Sequence, residues 1–198
     1  MSDNKSFFAS NKQVIIPTVV MLLICIVVTG ALAGTNLLTK TKIKEIEKSQ
    51  ENESMAEVLK ADTYKEVKDK DKTYNIAKNG DKTVGYIFVT TEKGYGGEVK
   101  VMTGIKPDGK ISAVKVLDAT SETPGLGQNT GKEEWYKQYG GLSAKSEVKV
   151  VKSGASKKDN NVDAVTGATI SSKAVTKAVN NAVDLYNEIV KKGDGANE

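Results

Sequence analysis

The stretch Val14–Ala33, VIIPTVVMLLICIVVTGALA, runs for twenty residues without a charged side chain. As a helix rising about 1.5 Å per residue it spans about 30 Å, the thickness of a bilayer's hydrocarbon core. Ala31-Leu32-Ala33 resembles a small-residue cleavage site, but the run is longer than the ~7–15 apolar residues of a secretory signal. An uncleaved transmembrane anchor over residues 14–33 is therefore the expectation. Pro17 is expected in its first turn, where a missing N–H costs little. Charge leaves the orientation open. Lys5 and Lys12 precede the span, while Lys40, Lys42, Lys44 and Lys48 follow it. That lysine count would hold the larger part in the cytoplasm, yet large domains translocate largely regardless of it.

Several chemistries are excluded by what the chain lacks. Its 198 residues contain no histidine and one cysteine, Cys25, inside the apolar run. This removes the Ser-His-Asp triad and nearly all zinc or copper sites, so no catalytic residue and no metal ligand is assigned. One cysteine cannot build an intramolecular disulfide, a Cys-ligated cluster or a CxxC redox pair. Redox chemistry here would have to be carried by an organic cofactor. Basic residues number 29 against 25 acidic ones, a net charge of +4, and every basic residue is lysine. Without arginine forks or a one-sign stripe, nucleic acid is not an expected partner.

Past the anchor, residues 34–60 carry Leu38, Ile43, Ile46, Met55, Val58 and Leu59 among many charges, which suggests a helical stalk. A first strand is expected near Thr73–Ala77, with a turn at Asn79-Gly80. Val84–Thr91 is rich in β-branched and aromatic residues. Val99–Ile105 and Ile111–Leu117 flank Pro107-Asp108-Gly109 and predict a hairpin. Lys132–Tyr139 is expected as a short helix ended by Gly140-Gly141, and Glu147–Val151 as a short strand. Ala174, Val175, Ala178, Val179, Ala182, Val183, Tyr186, Ile189 and Val190 form an i, i+3/i+4 stripe, predicting a long helix over Ser171–Lys192. Thr169 or Ser171 is expected to cap it. The fold class is α+β, with residues 61–192 as an antiparallel-sheet domain with packed helices. Residues 193–198 are expected as a disordered tail.

Just before that helix lies Asp163-Ala164-Val165-Thr166-Gly167-Ala168-Thr169. A helix start offers unpaired N–H groups and partial positive charge, which favour an anion. The first turn carries Lys173 and no acid, and Gly167-Ala168 lets a bulky group approach. On these features alone a plain Ser/Thr cap after a glycine turn explains the stretch as well. Trp135, Tyr136 and Tyr139 read first as core aromatics, with flavin stacking as the alternative. Gly94-Tyr95-Gly96-Gly97 lies between two strands, not between strand and helix, so it is no P-loop or Rossmann turn.

The seven residues 163–169 match Asp-x-x-(Ser/Thr)-Gly-Ala-(Thr/Ser), the acceptor motif for covalent flavin in FMN-binding domains. The chain resembles the G subunit of Rnf electron-transport complexes, and more distantly the C subunit of sodium-translocating NADH:quinone reductases. Gly94–Gly97 and Glu122-Thr123-Pro124-Gly125-Leu126-Gly127 also look like recurring segments of that family. The resemblance implies FMN joined to Thr169 through a phosphoester, attached by a separate flavin transferase. Asp163, Thr166, Gly167 and Ala168 would form the flavinylation motif. Gly96, Gly97, Thr123, Pro124, Gly125, Leu126 and Gly127 are the candidates for the flavin pocket. It further implies an electron-relay subunit, not a complete enzyme alone, in a ferredoxin:NAD-type membrane complex that translocates ions. Its partners would be the other subunits, the membrane and the transferase. Residues 1–13 would then be cytoplasmic and the flavin domain extracytoplasmic. The quinone-reductase role and a non-redox anchored adaptor are the alternatives.

Overall fold

The computed structural model describes residues 12–69 and 72–194. The chain divides into two compact units, Met1–Ser49 and Gln50–Glu198. Helix α1 (Lys12–Val58) begins in the first and ends in the second. Within it, Val14–Lys40 is long and apolar enough to cross a membrane, with a mean hydropathy of 2.7. Its threonine hydroxyls bond back to the helix's own carbonyls, Thr18 to Val14 at 2.8 Å and Thr35 to Ala31 at 2.9 Å. Polar groups satisfied inside the helix cost little in hydrocarbon. Pro17 is not in the first turn as expected. The helix already runs from Lys12, so Pro17 sits inside it and forfeits one bond to the carbonyl four residues back.

The second unit is built on an antiparallel meander in the order β1-β2-β3-β4-β5. The strands are β1 (Thr63–Asp69), β2 (Lys72–Asn79), β3 (Lys82–Lys93), β4 (Glu98–Ile105) and β5 (Ile111–Asp118). Asn79 pairs with Lys82 across a two-residue turn, with Gly80 in the left-handed region at φ 56°, which suits a hairpin turn. β1 is an addition to the expected strands. Its sequence TYKEVKD leaves only Tyr64, Val67 and Asp69 half-buried, so the apolar alternation is weak. It is an edge strand, where lysines discourage further pairing.

After β5 come a 3-10 turn (Gly127–Gly131), α2 (Glu133–Tyr136) and a second 3-10 turn (Lys137–Tyr139). β6 (Lys149–Val151), inside the short strand expected at Glu147–Val151, pairs in parallel with β7 (Asn161–Asp163), a partner that no sequence pattern announced. The last element is α3 (Thr169–Asp194), which runs two residues beyond the expected end at Lys192. The tail expected beyond it lies, from residue 195, outside the described residues, as do residues 1–11.

The sheet is covered on both faces. On one face, Val175, Ala178, Val179, Ala182, Val183 and Tyr186 of α3 pack with Phe88, Val99, Val101, Ile105, Val114, Tyr139 and Leu142. Small residues on the α3 stripe let it lie close to β3 and β4. Thr90 of β3 donates to the Ala178 carbonyl at 2.8 Å. On the other face, Met55, Val58 and Leu59 are buried with Ala77, Ile87 and Met102. Residues read from the sequence as stalk thus belong to a second core. Gly104 makes room there: a Cβ on it would lie 2.6 Å from Val58 Cγ1. Glu57 closes the seam by an ion pair to Lys115 at 2.7 Å.

Candidate functional site

The acceptor stretch leaves β7 and reaches α3 through one tight turn. Ala168 N–H bonds to the Val165 carbonyl at 2.9 Å, and Gly167 between them has φ 76°. That is the third turn position, where glycine avoids the cost of left-handed backbone. Ser172, fully buried, locks the turn to the helix. Its Oγ accepts from Val165 N–H at 3.0 Å and donates to the Ala168 carbonyl at 2.9 Å. Neither Thr169 nor Ser171 caps the helix as expected. Among the described residues no acceptor meets the N–H groups of Thr169, Ile170 or Ser171, and the first turn holds no acid.

Thr166, Gly167 and Thr169 are exposed, and the Thr169 hydroxyl makes no hydrogen bond among the described residues. Ala168 is buried, so its methyl group supports the turn from within. Asp163 is half-buried, and its Oδ1 accepts from Ala155 N–H at 2.8 Å. Its backbone is held by α2 and the turn after it. Trp135 Nε1 donates to the Asp163 carbonyl at 2.7 Å, and Asp163 N–H donates to Gln138 Oε1 at 2.8 Å.

A second glycine turn faces the first. Leu126 N–H bonds to the Thr123 carbonyl at 3.2 Å, with Pro124 and Gly125 between them and Gly125 at φ 75°. Thr123, Pro124, Gly125 and Leu126 are exposed, and Gly127 is buried. Leu126 lies over Gly167, where an added Cβ would come 3.1 Å from Leu126 Cδ2. Among the described residues outside α1, the exposed large apolar side chains are Tyr95, Leu126 and Ile170, the first two within candidate segments and the third next to Thr169.

The residue that joins these segments is Glu122. Its side chain is only 2 % exposed. Oε1 accepts from Gly96 N–H at 3.0 Å, and Oε2 accepts from the buried Ser171 hydroxyl. Two glycines make space for it. A Cβ on Gly127 would lie 2.6 Å from Glu122 Oε2, and one on Gly94 would collide with Oε1. Gly96 and Gly97 turn their missing side chains toward Ser121, 2.5 Å from its Cβ in the case of Gly97. The glycine loop is therefore sized by Ser121-Glu122. In the sequence Glu122 stands only as the first letter of a segment, with no local signal of its burial.

The aromatic cluster is core. Tyr139 is fully buried and shares a 2.7 Å hydrogen bond with Thr176 Oγ1. Burial pushes its phenol well above the ordinary value, with the Thr176 bond opposing. Trp135 meets Tyr139 edge-on at 5.7 Å. A groove of about 880 Å³ lies elsewhere, between α3 and residues 145–150, and Thr169 does not line it. The turn before α3 is thus an open surface. An exposed hydroxyl with no hydrogen bond, and helix N–H groups that meet no acceptor among the described residues, fit a phosphate group.

The FMN-binding domain family matches residues 94–184, and the RnfG N-terminal region matches residues 3–58. The first match thus begins at the Gly94 loop and takes in every segment around Glu122. The chain is 36% identical over 191 residues to the G subunit of the Na(+)-translocating ferredoxin:NAD(+) oxidoreductase complex of Acetobacterium woodii, covering 87% of this chain and 91% of that one. It is 33% identical over 183 residues to the G subunit of the proton-translocating ferredoxin:NAD(+) oxidoreductase complex of Clostridium ljungdahlii, covering 92% of each. The crystal structure of Shewanella oneidensis NqrC shares the fold, with a TM-score of 0.50 at 24% identity over 62% of this chain and 64% of that one.

Proposed function

This chain belongs to the family of Rnf-complex G subunits with an FMN-binding domain, and on that footing we propose that it is an electron-relay subunit. It carries FMN on Thr169 within an ion-translocating membrane redox complex. The observation that carries this reading is Thr169 itself, an exposed hydroxyl without a hydrogen bond among the described residues, at a helix start whose first N–H groups meet no acceptor among them.

Thr169 Oγ1 would be the atom joined to the FMN phosphorus, taken from FAD with AMP as the leaving group and the hydroxyl proton lost to solvent. The N–H groups of Thr169, Ile170 and Ser171, which meet no acceptor among the described residues, would hold the phosphate oxygens, favoured by the helix dipole. Lys173, which makes no ion pair among the described residues, lies one turn further on. The exposed side chains of Leu126, which lies against Gly167, and of Ile170, next to Thr169, would offer the ring apolar contact. When bound, FMN supplies two-electron acceptance and one-electron delivery. The protein's part is to hold the ring at a fixed place.

The two relatives' names differ in the ion, so the role carried over is electron relay in a ferredoxin:NAD-type complex, not the choice of ion. Coverage of about nine-tenths of each favours the Rnf role over the quinone-reductase one. The flavin domain is placed on the extracytoplasmic side, with residues 1–13 in the cytoplasm, and a flavin transferase serves it there. A covalent tether suits that side, where free FMN would be lost. The test is denaturing electrophoresis of full-length protein made together with a flavin transferase. A fluorescent band is expected, and a dark one for Thr169→Val. A dark wild-type band would overturn the reading in favour of a non-redox anchored adaptor.

A further inference from the structure

We infer that Glu122 is the positioning residue for the acceptor threonine: its buried carboxylate ties the 94–97 loop and the 120–127 segment to the first turn of α3, and so sets the direction in which Thr169 faces. The inference rests on the reading of Thr169 as the flavin acceptor.

Ser171 follows Thr169 by two residues, about 200° around a helix. If Ser171 is held inward, Thr169 must face outward. Ser171 is held inward by Glu122 Oε2, across 49 residues of sequence. The other carboxylate oxygen is bonded to Gly96 N–H at 3.0 Å. That loop is closed on itself by Gly94 N–H to the Gly97 carbonyl at 2.7 Å, so it is a firm anchor. Within the same segment, Leu126 lies against Gly167. The 120–127 segment thus meets both the turn, through Leu126, and the first turn of α3, through Glu122.

The chemistry of the grip explains the choice of residue. Among the described residues Glu122 has no cationic partner. A buried carboxylate needs partners for its oxygens, and each arm has one, Gly96 N–H on the first and the Ser171 hydroxyl on the second. Gly94 and Gly127 are the space this carboxylate occupies. A core packing role would be met by an apolar residue; the two hydrogen bonds need an acceptor on each arm or an isosteric amide.

The test compares full-length wild type, Glu122→Gln and Glu122→Ala in detergent, each given purified flavin transferase and FAD, with covalent flavin followed in time. Gln keeps both bonds, accepting from Gly96 through its carbonyl and donating to Ser171 through its amide. The expected result is labelling of Glu122→Gln within about threefold of wild type, and of Glu122→Ala slower by about tenfold or more, because small misplacements of a reacting group are costly. Equal rates for Glu122→Ala and wild type would overturn the inference. So would an equal loss in both variants, which would mean the charge and not the positioning matters. If Glu122→Ala fails to fold, Ser171→Ala removes the other end of the same bond, and labelling at the wild-type rate would overturn the inference. Failure of wild type itself to label would instead overturn the attachment to Thr169.

Discussion

The α3 face of the sheet and the corner around Glu122 are held together by different forces. Under α3, aliphatic and aromatic side chains interdigitate, and the burial of Phe88, Val179 and Tyr139 supplies the stability. At the corner, two glycine turns, a buried carboxylate and two serines hold the chain by hydrogen bonds, while Tyr95, Leu126 and Ile170 stay exposed. The first region is held by apolar packing and the second by hydrogen bonds, and on the proposed function the second presents one hydroxyl. Stability and labelling should therefore separate under mutation.

The largest effect belongs to the core. Phe88→Ala is expected to cost about 3–5 kcal/mol in denaturant melts, while the fraction that remains folded labels as wild type does. A labelling defect without lost stability would break the separation. Gly167→Ala puts a side chain at φ 76° and against Leu126. Its expected cost is about 1–2 kcal/mol, with labelling slowed well beyond what that loss explains. Thr103 reverses the sign. Its hydroxyl is buried in the core without a partner among the described residues, so Thr103→Val should stabilise by about 1 kcal/mol and leave labelling unchanged.

The smallest effect lies on the exposed side of α3. Lys177 lies 2.8 Å from Glu92 and holds its carboxyl below the usual range, against an opposing push from burial. A carboxyl with a lowered folded pKa stabilises above its unfolded value and loses that contribution as pH falls through the folded one. Lys177→Met should thus cost about 0.5 kcal/mol or less near neutral pH. The difference from wild type should vanish in acid, below the ordinary carboxylate value of about 4.3. A difference that grows in acid would contradict the pairing.

What can be read from the sequence is what is local. The membrane-length run, the β4–β5 hairpin and the α3 stripe repeat over neighbouring residues, and each lies close to its expected place. β1 escapes because its alternation is carried by charged residues at an edge. β6 falls within the expected strand at Glu147–Val151, but its partner β7 escapes because parallel pairing joins residues a dozen apart with three-residue strands. Met55, Val58 and Leu59 read as stalk because their partners, Ala77, Ile87 and Met102, come later in the chain. The motif at 163–169 is legible through family resemblance, and its physical features alone do not separate it from a plain cap. Glu122 has no local signal. A lone acid in a glycine-rich loop looks solvated until folding brings Ser171 above it.

Peptide mapping by mass spectrometry, on full-length protein purified from cells that contain a flavin transferase, tests Thr169 most directly. The expected result is one peptide, spanning Thr169, heavier by one FMN less one water, with fragmentation locating the added mass on that residue. The same added mass on Thr166, or protein from such cells with no added mass on any threonine, would contradict it.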